Sequence, residues 1–443
     1  MSRRLLDVFL LGAVFLLGTQ ATPTLAEDWP QWMGPSRDGS WREIGILEKF
    51  PDSGPTIKWR TKIGGGYAGP AVAGGRVYVM DFVRTAGDAK PDPNNRSAVE
   101  GTERVLCLSA ADGQEIWKYE YDCPYKISYA SGPRCTPTVD GSKVYTLGAE
   151  GKLLCLDAAK GKVIWSHDLK ADYKAETPQW GFAGHPLVDG EKLICLVGGP
   201  GSVAVAFNKH TGKEIWKSIS AKDQGYTAPT IIEAGGCRQL LIWHPEAICS
   251  LDPESGKEYW SVPLKPMYGM SIMAPRKFGD YLYAGGIGEV SMLLKLAKDK
   301  PAAELEWRGD NMSSVYSVCS TPLVDEDGTM YGVCQRGQLR AVEFSTGKRL
   351  WETLKPTTGE RPLSSGTAFL VKNGDRHFIF SETGDLIIAR LSPKEYTELS
   401  RTHLLDPTSD CFGRSVVWSH PAFADKCIFA RNDKEIVCAS LAK

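Results

Sequence analysis

The chain has 443 residues, with 52 Lys and Arg against 53 Asp and Glu, for a formal net charge of −1. A balance so near zero, with no basic tract, excludes nucleic acid as an expected partner. Aromatic residues make up 10% of the chain, with 13 Trp among them, which suits an all-β protein with a large core.

The first residues read as a secretory signal peptide. Arg3-Arg4 supplies the positive start, Val8–Gly18 is an apolar run of 11 residues, and Thr24-Leu25-Ala26 is a cleavage site. The run is too short to act as a membrane anchor, and no later stretch approaches the roughly 18 apolar residues of a spanning helix. No cysteine follows the run, so lipid attachment is not indicated. The expected mature product starts after Ala26. It is soluble and monomeric, exported to the periplasm or cell envelope. Residues 27–55, rich in Trp, Gly and Pro and without a period, are expected to pack irregularly on the outside of the fold.

From residue 56 onward the chain repeats. The clearest unit is Gly141–Trp165, GSKVYTLGAEGKLLCLDAAKGKVIW. Val144–Leu147 and Leu153–Leu156 read as strands, Asp157 and Gly161 bracket a turn, and Val163-Ile164-Trp165 opens another strand. The same eight-residue step joins Ser109 to Trp117, Asp157 to Trp165, Asn208 to Trp216, Asp252 to Trp260 and Glu343 to Trp351. Gly113, Gly161, Gly212, Gly256 and Gly347 stand four residues into each step. Most of the tryptophans at 59, 117, 165, 216, 260, 307 and 351 are 44–51 residues apart. Strand-bearing units at that spacing predict a propeller or β-solenoid.

The two ends complement each other. Ile57-Lys58-Trp59-Arg60 matches the last strand of a unit that has no beginning, and residues 417–443 supply a unit that has no last strand. Pairing the two would remove both open sheet edges. Counting Glu398–His403 as a degenerate outer strand gives eight units, seven of them led by Pro70, Pro137, Pro186, Pro229, Pro275, Pro322 or Pro421 and one by Ala368. The expectation is an all-β fold: an eight-bladed β-propeller over residues 56–443, closed by the N-terminal strand.

The motif VYxxxxxGxLxCLDxxxGKxIW resembles the quinoprotein (PQQ) propeller repeat, and the exported, Trp-bearing arrangement resembles the BamB-like bacterial propellers. The resemblance covers about residues 56–443. It implies a propeller, and either a scaffolding role in the envelope or PQQ-dependent oxidation with Ca²⁺. The chain departs from both patterns, since it lacks a lipidation cysteine and has no adjacent cysteines to stack against a quinone.

Propeller geometry brings the loops preceding each unit to one face. Those loops carry Tyr67, Tyr129, Trp180, Phe182, Tyr226, Tyr268, Tyr316 and Trp418, with Arg134, His185 and His420 among them. His244 joins the same face from a loop inside its unit. Two roles are open to these rings: closing the gaps between blades, or forming a site for a flat ligand, an apolar-faced ligand or a peptide. Residues 81–104 read as a polar insertion on this face, a flap over part of it. Cys107, Cys155 and Cys438 occupy a slot held elsewhere by Ala or Ser, so they are expected to be free, small and buried.

No loop shows Asp, Asn or Glu at Ca²⁺-binding spacing, and no GxSxG or HExxH motif occurs. The expected function is therefore a binding or scaffolding module for an envelope protein, a peptide or a small molecule, with no cofactor, metal or catalytic residues assigned. A PQQ-dependent oxidoreductase is the alternative, and a hydrolytic propeller acting on glycans is a third reading.

Overall fold

The computed structural model describes residues 27–310 and 312–443, so the predicted signal segment, residues 1–26, lies outside the described residues. Among the described residues the strands form a β-propeller of antiparallel sheets. Eight sheets have four or more strands, and one small hairpin pairs Ser409–Cys411 with Arg414–Val416. The unit read from Gly141–Trp165 is one of these sheets, with strands Thr138–Asp140, Lys143–Leu147, Lys152–Asp157 and Val163–Asp168 in order. Its inner strands are buried because both faces meet neighbouring sheets, which is why Leu153-Leu154-Cys155-Leu156 is a continuous apolar run rather than an alternating one.

The two ends of the chain share a sheet. Ile57–Lys62 pairs with Glu435–Ser440, placing Trp59 opposite Cys438. The short first strand of the first sheet, Ala71–Ala73, touches the first strands of both the second and the last sheets, Thr138–Asp140 and Ala422–Ala424.

The repeated Trp and Gly turn out to be one joint. Six of the seven outer-strand tryptophans donate the indole N–H to a turn carbonyl of the next sheet: Trp59 to Ala110, Trp117 to Ala158, Trp165 to Lys209, Trp216 to Pro253, Trp307 to Ser345 and Trp351 to Ser392, at 2.8–3.1 Å. The turn glycine lies under the ring. A Cβ on Gly113, Gly161, Gly212, Gly256 or Gly347 would stand 2.4–2.7 Å from the preceding tryptophan, and each has φ near +70°. Only glycine meets both demands. Trp260 departs from the pattern and bonds Gln239 Oε1 of its own sheet.

Residues 27–55 pack without regular structure, and they divide in two. Residues 42–54 run outward over the last two sheets, with Ile46 bridging Ala442 and Phe50 N donating to Ser400 Oγ, whereas residues 29–41 cross the open end of the space between the first strands. Trp29 forms a β-bridge with Val72, Pro30 accepts from Val139 N, and Gly39 accepts from Lys372 N. Arg37 donates to the carbonyls of Pro186, His185 and Pro229, while Arg276 donates to the Arg37 carbonyl. Burial pulls the Arg37 guanidinium down to about 9 and Arg276 to about 10. The absence of a period has a plain cause: each residue meets a different sheet, so no repeating face exists to pattern.

The 81–104 insertion is strand rather than loop, and its tip brings Pro93 to the face of the leading loops. Strands Arg76–Gly87 and Ser97–Ser109 pair as one long hairpin, and Tyr125–Ile127 adds to it. Its alternation was masked because a carboxylate fills a core position. Glu103 is fully buried and accepts from Tyr121 OH, Tyr125 OH and Ala149 N, and burial raises its pKa. Cys107, Cys155 and Cys438 are buried, and no disulfide joins any of the 12 cysteines.

On the outer strand Tyr396–His403, His403 Nδ1 meets Asp385 Oδ1 at 2.9 Å and Nε2 meets Asp406 Oδ1 at 3.0 Å. The bond to Asp385 is the largest cause holding its pKa above 6.5. A base with a raised folded pKa stabilises the fold below its unfolded pKa, and that stability is lost as pH rises through the folded value. NMR titration is expected to place His403 above a reference His, and Asp385→Asn to return it toward 6.5.

Candidate functional site

The loops preceding the first strands converge on one cavity of about 220 Å³. All eight sheets with four or more strands contribute: Tyr67 from the first, Tyr129 and Arg134 from the second, Trp180 and His185 from the third, Tyr226 from the fourth, Tyr268 from the fifth, Cys319 from the sixth, Ser365 from the seventh, and Trp418 and His420 from the last. The wall is aromatic, its rings meeting edge-on or tilted. Trp418 lies 5.9 Å from Tyr129 and 6.5 Å from Tyr67, and Trp180 lies 5.8 Å from Tyr226.

The floor comes from the N-terminal segment. The Trp32 indole stacks on His185 at 5.1 Å and donates to His420 Nε2 at 3.4 Å. Thr136 N donates to His185 Nδ1 at 3.0 Å. These acceptor roles place the remaining ring proton of His185 on Nε2 and that of His420 on Nδ1. Burial keeps both rings neutral, lowering His420 to about 3 and His185 well below its usual value, with His420 and Arg37 adding to the second shift. Each histidine therefore keeps one N–H donor with no protein partner among the described residues. The floor offers hydrogen bonds without charge.

Arg134 is the one cation among the lining residues apart from the neutral histidines. It donates to the carbonyls of Ser128, Tyr129 and Gly132 and lies 5.0 Å over the Tyr67 ring. Trp418 is held from behind by Glu382, which accepts its N–H at 3.3 Å and pairs with Arg414. The rim is apolar and open to water: Tyr268 is 68% exposed and Phe412 52%. Tyr129, Tyr268, Ser365 and Phe412 all have φ between +46° and +59°. Such backbone costs about 1–2 kcal/mol per residue and collects at functional sites.

Three residues expected on this face are buried and do not line the cavity. Phe182 is 1% exposed and packs under Gly151 between two sheets, because Phe182 N is tied to Ala149 O and turns the ring away from Trp180. His244 is buried in the turn of its own sheet, with its ring on Cys249 Sγ and Glu246 N. Tyr316 is buried in the core beside Val315 and Cys334, under the Arg340 guanidinium. Conversely, Trp32, Phe412, Ile272, Ile287 and Cys319 line the cavity without having been singled out from the sequence. Phe412 sits on the small hairpin inserted before Pro421, and that extra length was the readable signal.

The lining residues include no carboxylate and no side-chain amide. Among the described residues no group of three His, Cys, Asp or Glu is placed to hold a metal ion. A quinone bound with a divalent cation needs carboxylate and amide oxygens, so this donor set does not fit that group. A second, polar cavity of about 690 Å³ adjoins the first across Tyr67 and Tyr129. It is lined by Lys62, Arg84, Arg104, Asp410 and Asp433 between the long hairpin and the last sheet.

A family model described as outer membrane protein assembly factor BamB matches residues 101–267 and 244–443. Among solved structures, BamB from Moraxella catarrhalis is 15% identical with a TM-score of 0.53, over 86% of this chain and 97% of that one. Quinohemoprotein alcohol dehydrogenase from Comamonas testosteroni is 13% identical with a TM-score of 0.64, over 94% and 80%. A europium-containing methanol dehydrogenase is 12% identical with a TM-score of 0.50, over 82% and 89%. At such identities the likeness is one of fold. The chain matches no curated protein.

Proposed function

The chain belongs to the outer membrane protein assembly factor BamB family, and from that premise we propose that it is an exported binding protein of the cell envelope. In this reading its eight sheets are the blades of one closed ring, with Ile57–Lys62 completing the last blade. The aromatic cup takes an apolar or aromatic side chain of a partner protein, and the rim aromatics Tyr268 and Phe412 are covered when it docks. The family's description supports a partner drawn from outer-membrane protein assembly.

The observation that carries the proposal is the cup itself: leading loops from every blade, four of its residues in strained backbone, and two large aromatics in water at the rim. A monomer gains nothing from exposing such groups, whereas an interface does. The spare N–H donors of His185 and His420 add directionality for an acceptor on the bound group.

A photo-crosslinker at Tyr268 or Phe412 is expected to capture the same envelope protein, while one at Ile44 does not. Trp418→Ala and Trp180→Ala are each expected to weaken that complex by about 2 kcal/mol, roughly 30-fold, at unchanged thermal stability. Because both histidines are neutral, affinity is expected to stay flat from about pH 5 to 8. Capture by both tryptophan variants as tight as by the wild type would remove the cup from the interface.

The fold likeness to quinohemoprotein alcohol dehydrogenase supports one second reading, PQQ-dependent oxidation. Dye reduction with an alcohol or sugar after adding PQQ and Ca²⁺ is its test, and none is expected.

A further inference from the structure

Glu43 is a buried carboxylate without a cation. It is 6% exposed, and its two oxygens accept only backbone N–H groups: Oε1 from Glu27 at 2.6 Å and Oε2 from Lys426. No Lys, Arg or His side chain pairs with it among the described residues. A carboxylate held away from water needs hydrogen bonds or a counter-charge, and here two backbone N–H groups are what face it.

The missing charge is supplied if the chain starts at Glu27. We propose that the bond between Ala26 and Glu27 is the processing site and that the freed α-amino group of Glu27 forms a buried ion pair with Glu43. This rests on the exported reading of residues 1–26 given above. In the hydrolysis, water adds its hydroxyl to the Ala26 carbonyl carbon as the amide bond breaks. The Glu27 nitrogen leaves as an amine carrying the other hydrogen, and takes one more proton from solvent at neutral pH. A signal peptidase is the catalyst class required, and water is the only co-reactant.

The surroundings are built for a fixed chain start. Glu27 Oε2 accepts from Arg42 N at 2.7 Å, so the first residue is held by its side chain as well as its nitrogen. Glu43 also caps the Asp425-Lys426 turn of the last blade, while Asn373 donates to the Trp41 and Glu43 carbonyls. One ion pair thus ties three things: the new terminus, the segment that floors the cup, and the hairpin ends of the last two blades. Processing would add a charge to a contact that already holds the segment carrying Trp32.

N-terminal sequencing of the protein from the envelope fraction is expected to begin at Glu27. A chain exported but cut elsewhere would overturn this inference and leave the exported reading intact, whereas an unprocessed cytoplasmic chain would overturn both. Protein released from a fusion to start at Glu27 would then be compared with the same chain carrying one extra glycine. The free α-amine is expected to titrate at least one unit above its ordinary value of about 8. The glycine-extended form should have a folding equilibrium constant about tenfold lower below pH 8. That difference should vanish as pH rises through the amine's folded pKa, because a raised base stabilises only while protonated. Glu43→Gln should abolish the difference between the two starts. Where that variant fails to fold, the amine titration decides alone, and an ordinary value near 8 would overturn the ion pair.

Discussion

Trp165→Ala is expected to lower the unfolding free energy by about 3–5 kcal/mol, read as a shift in the denaturant midpoint. The ring is 9% exposed, sits on Gly212 of the next sheet and donates to the Lys209 carbonyl at 3.1 Å. Truncation removes the contact surface between two sheets and leaves a void that a glycine turn cannot fill. Trp165→Phe retains most of the packing and loses the hydrogen bond, so about 1–2 kcal/mol is expected from it. Gly212→Ala in the wild-type background should approach the larger loss from the other side of the joint, since its Cβ would stand 2.7 Å from the ring. A loss under about 1 kcal/mol for Trp165→Ala would show that the tryptophan is not what joins the sheets.

Arg431→Met should be comparably damaging, by about 3–5 kcal/mol. This fully buried guanidinium has no carboxylate within hydrogen-bonding distance among the described residues; it donates instead to the carbonyls of Met80 and Gly64 at 2.6 Å and of Asn432 at 3.1 Å. Burial lowers its pKa, and Asp433 and Asp81 act against that shift. Met80 belongs to the first sheet and Gly64 to the turn leaving Ile57–Lys62, so the side chain spans the seam where the two chain ends meet. Methionine keeps the stem's volume and leaves three buried acceptors unpaired. Hydrogen exchange should report the damage first in Ile57–Lys62 and Glu435–Ser440. A variant as stable as wild type, with both strands equally protected, would show that the seam holds without this cation.

The cup divides along similar lines. Tyr67, Tyr129, Arg134, Trp180, His185, Tyr226, Tyr268, Trp418 and His420 were readable as neighbours because each precedes the first strand of its unit, and a propeller repeats that position around one centre. Phe182 and Tyr316 share that sequence context and His244 lies in a loop inside its unit, yet all three are buried away from the cavity, because local contacts such as Phe182 N to Ala149 O and His244 to Cys249 Sγ, rather than position along the repeat, set their direction.

Repetition is what one dimension can express. The eight-residue step from turn to tryptophan, the glycine within it and the incomplete units at the two ends all recur at fixed spacing, so strand order and the pairing of the termini could be inferred before any coordinates. Trp32 beneath His185 and His420, Glu103 inside the long hairpin and Glu43 against the Glu27 nitrogen occur once each. A unique contact between residues far apart in the chain leaves no period behind. Only packing in three dimensions could show that a segment without pattern forms the floor of the site.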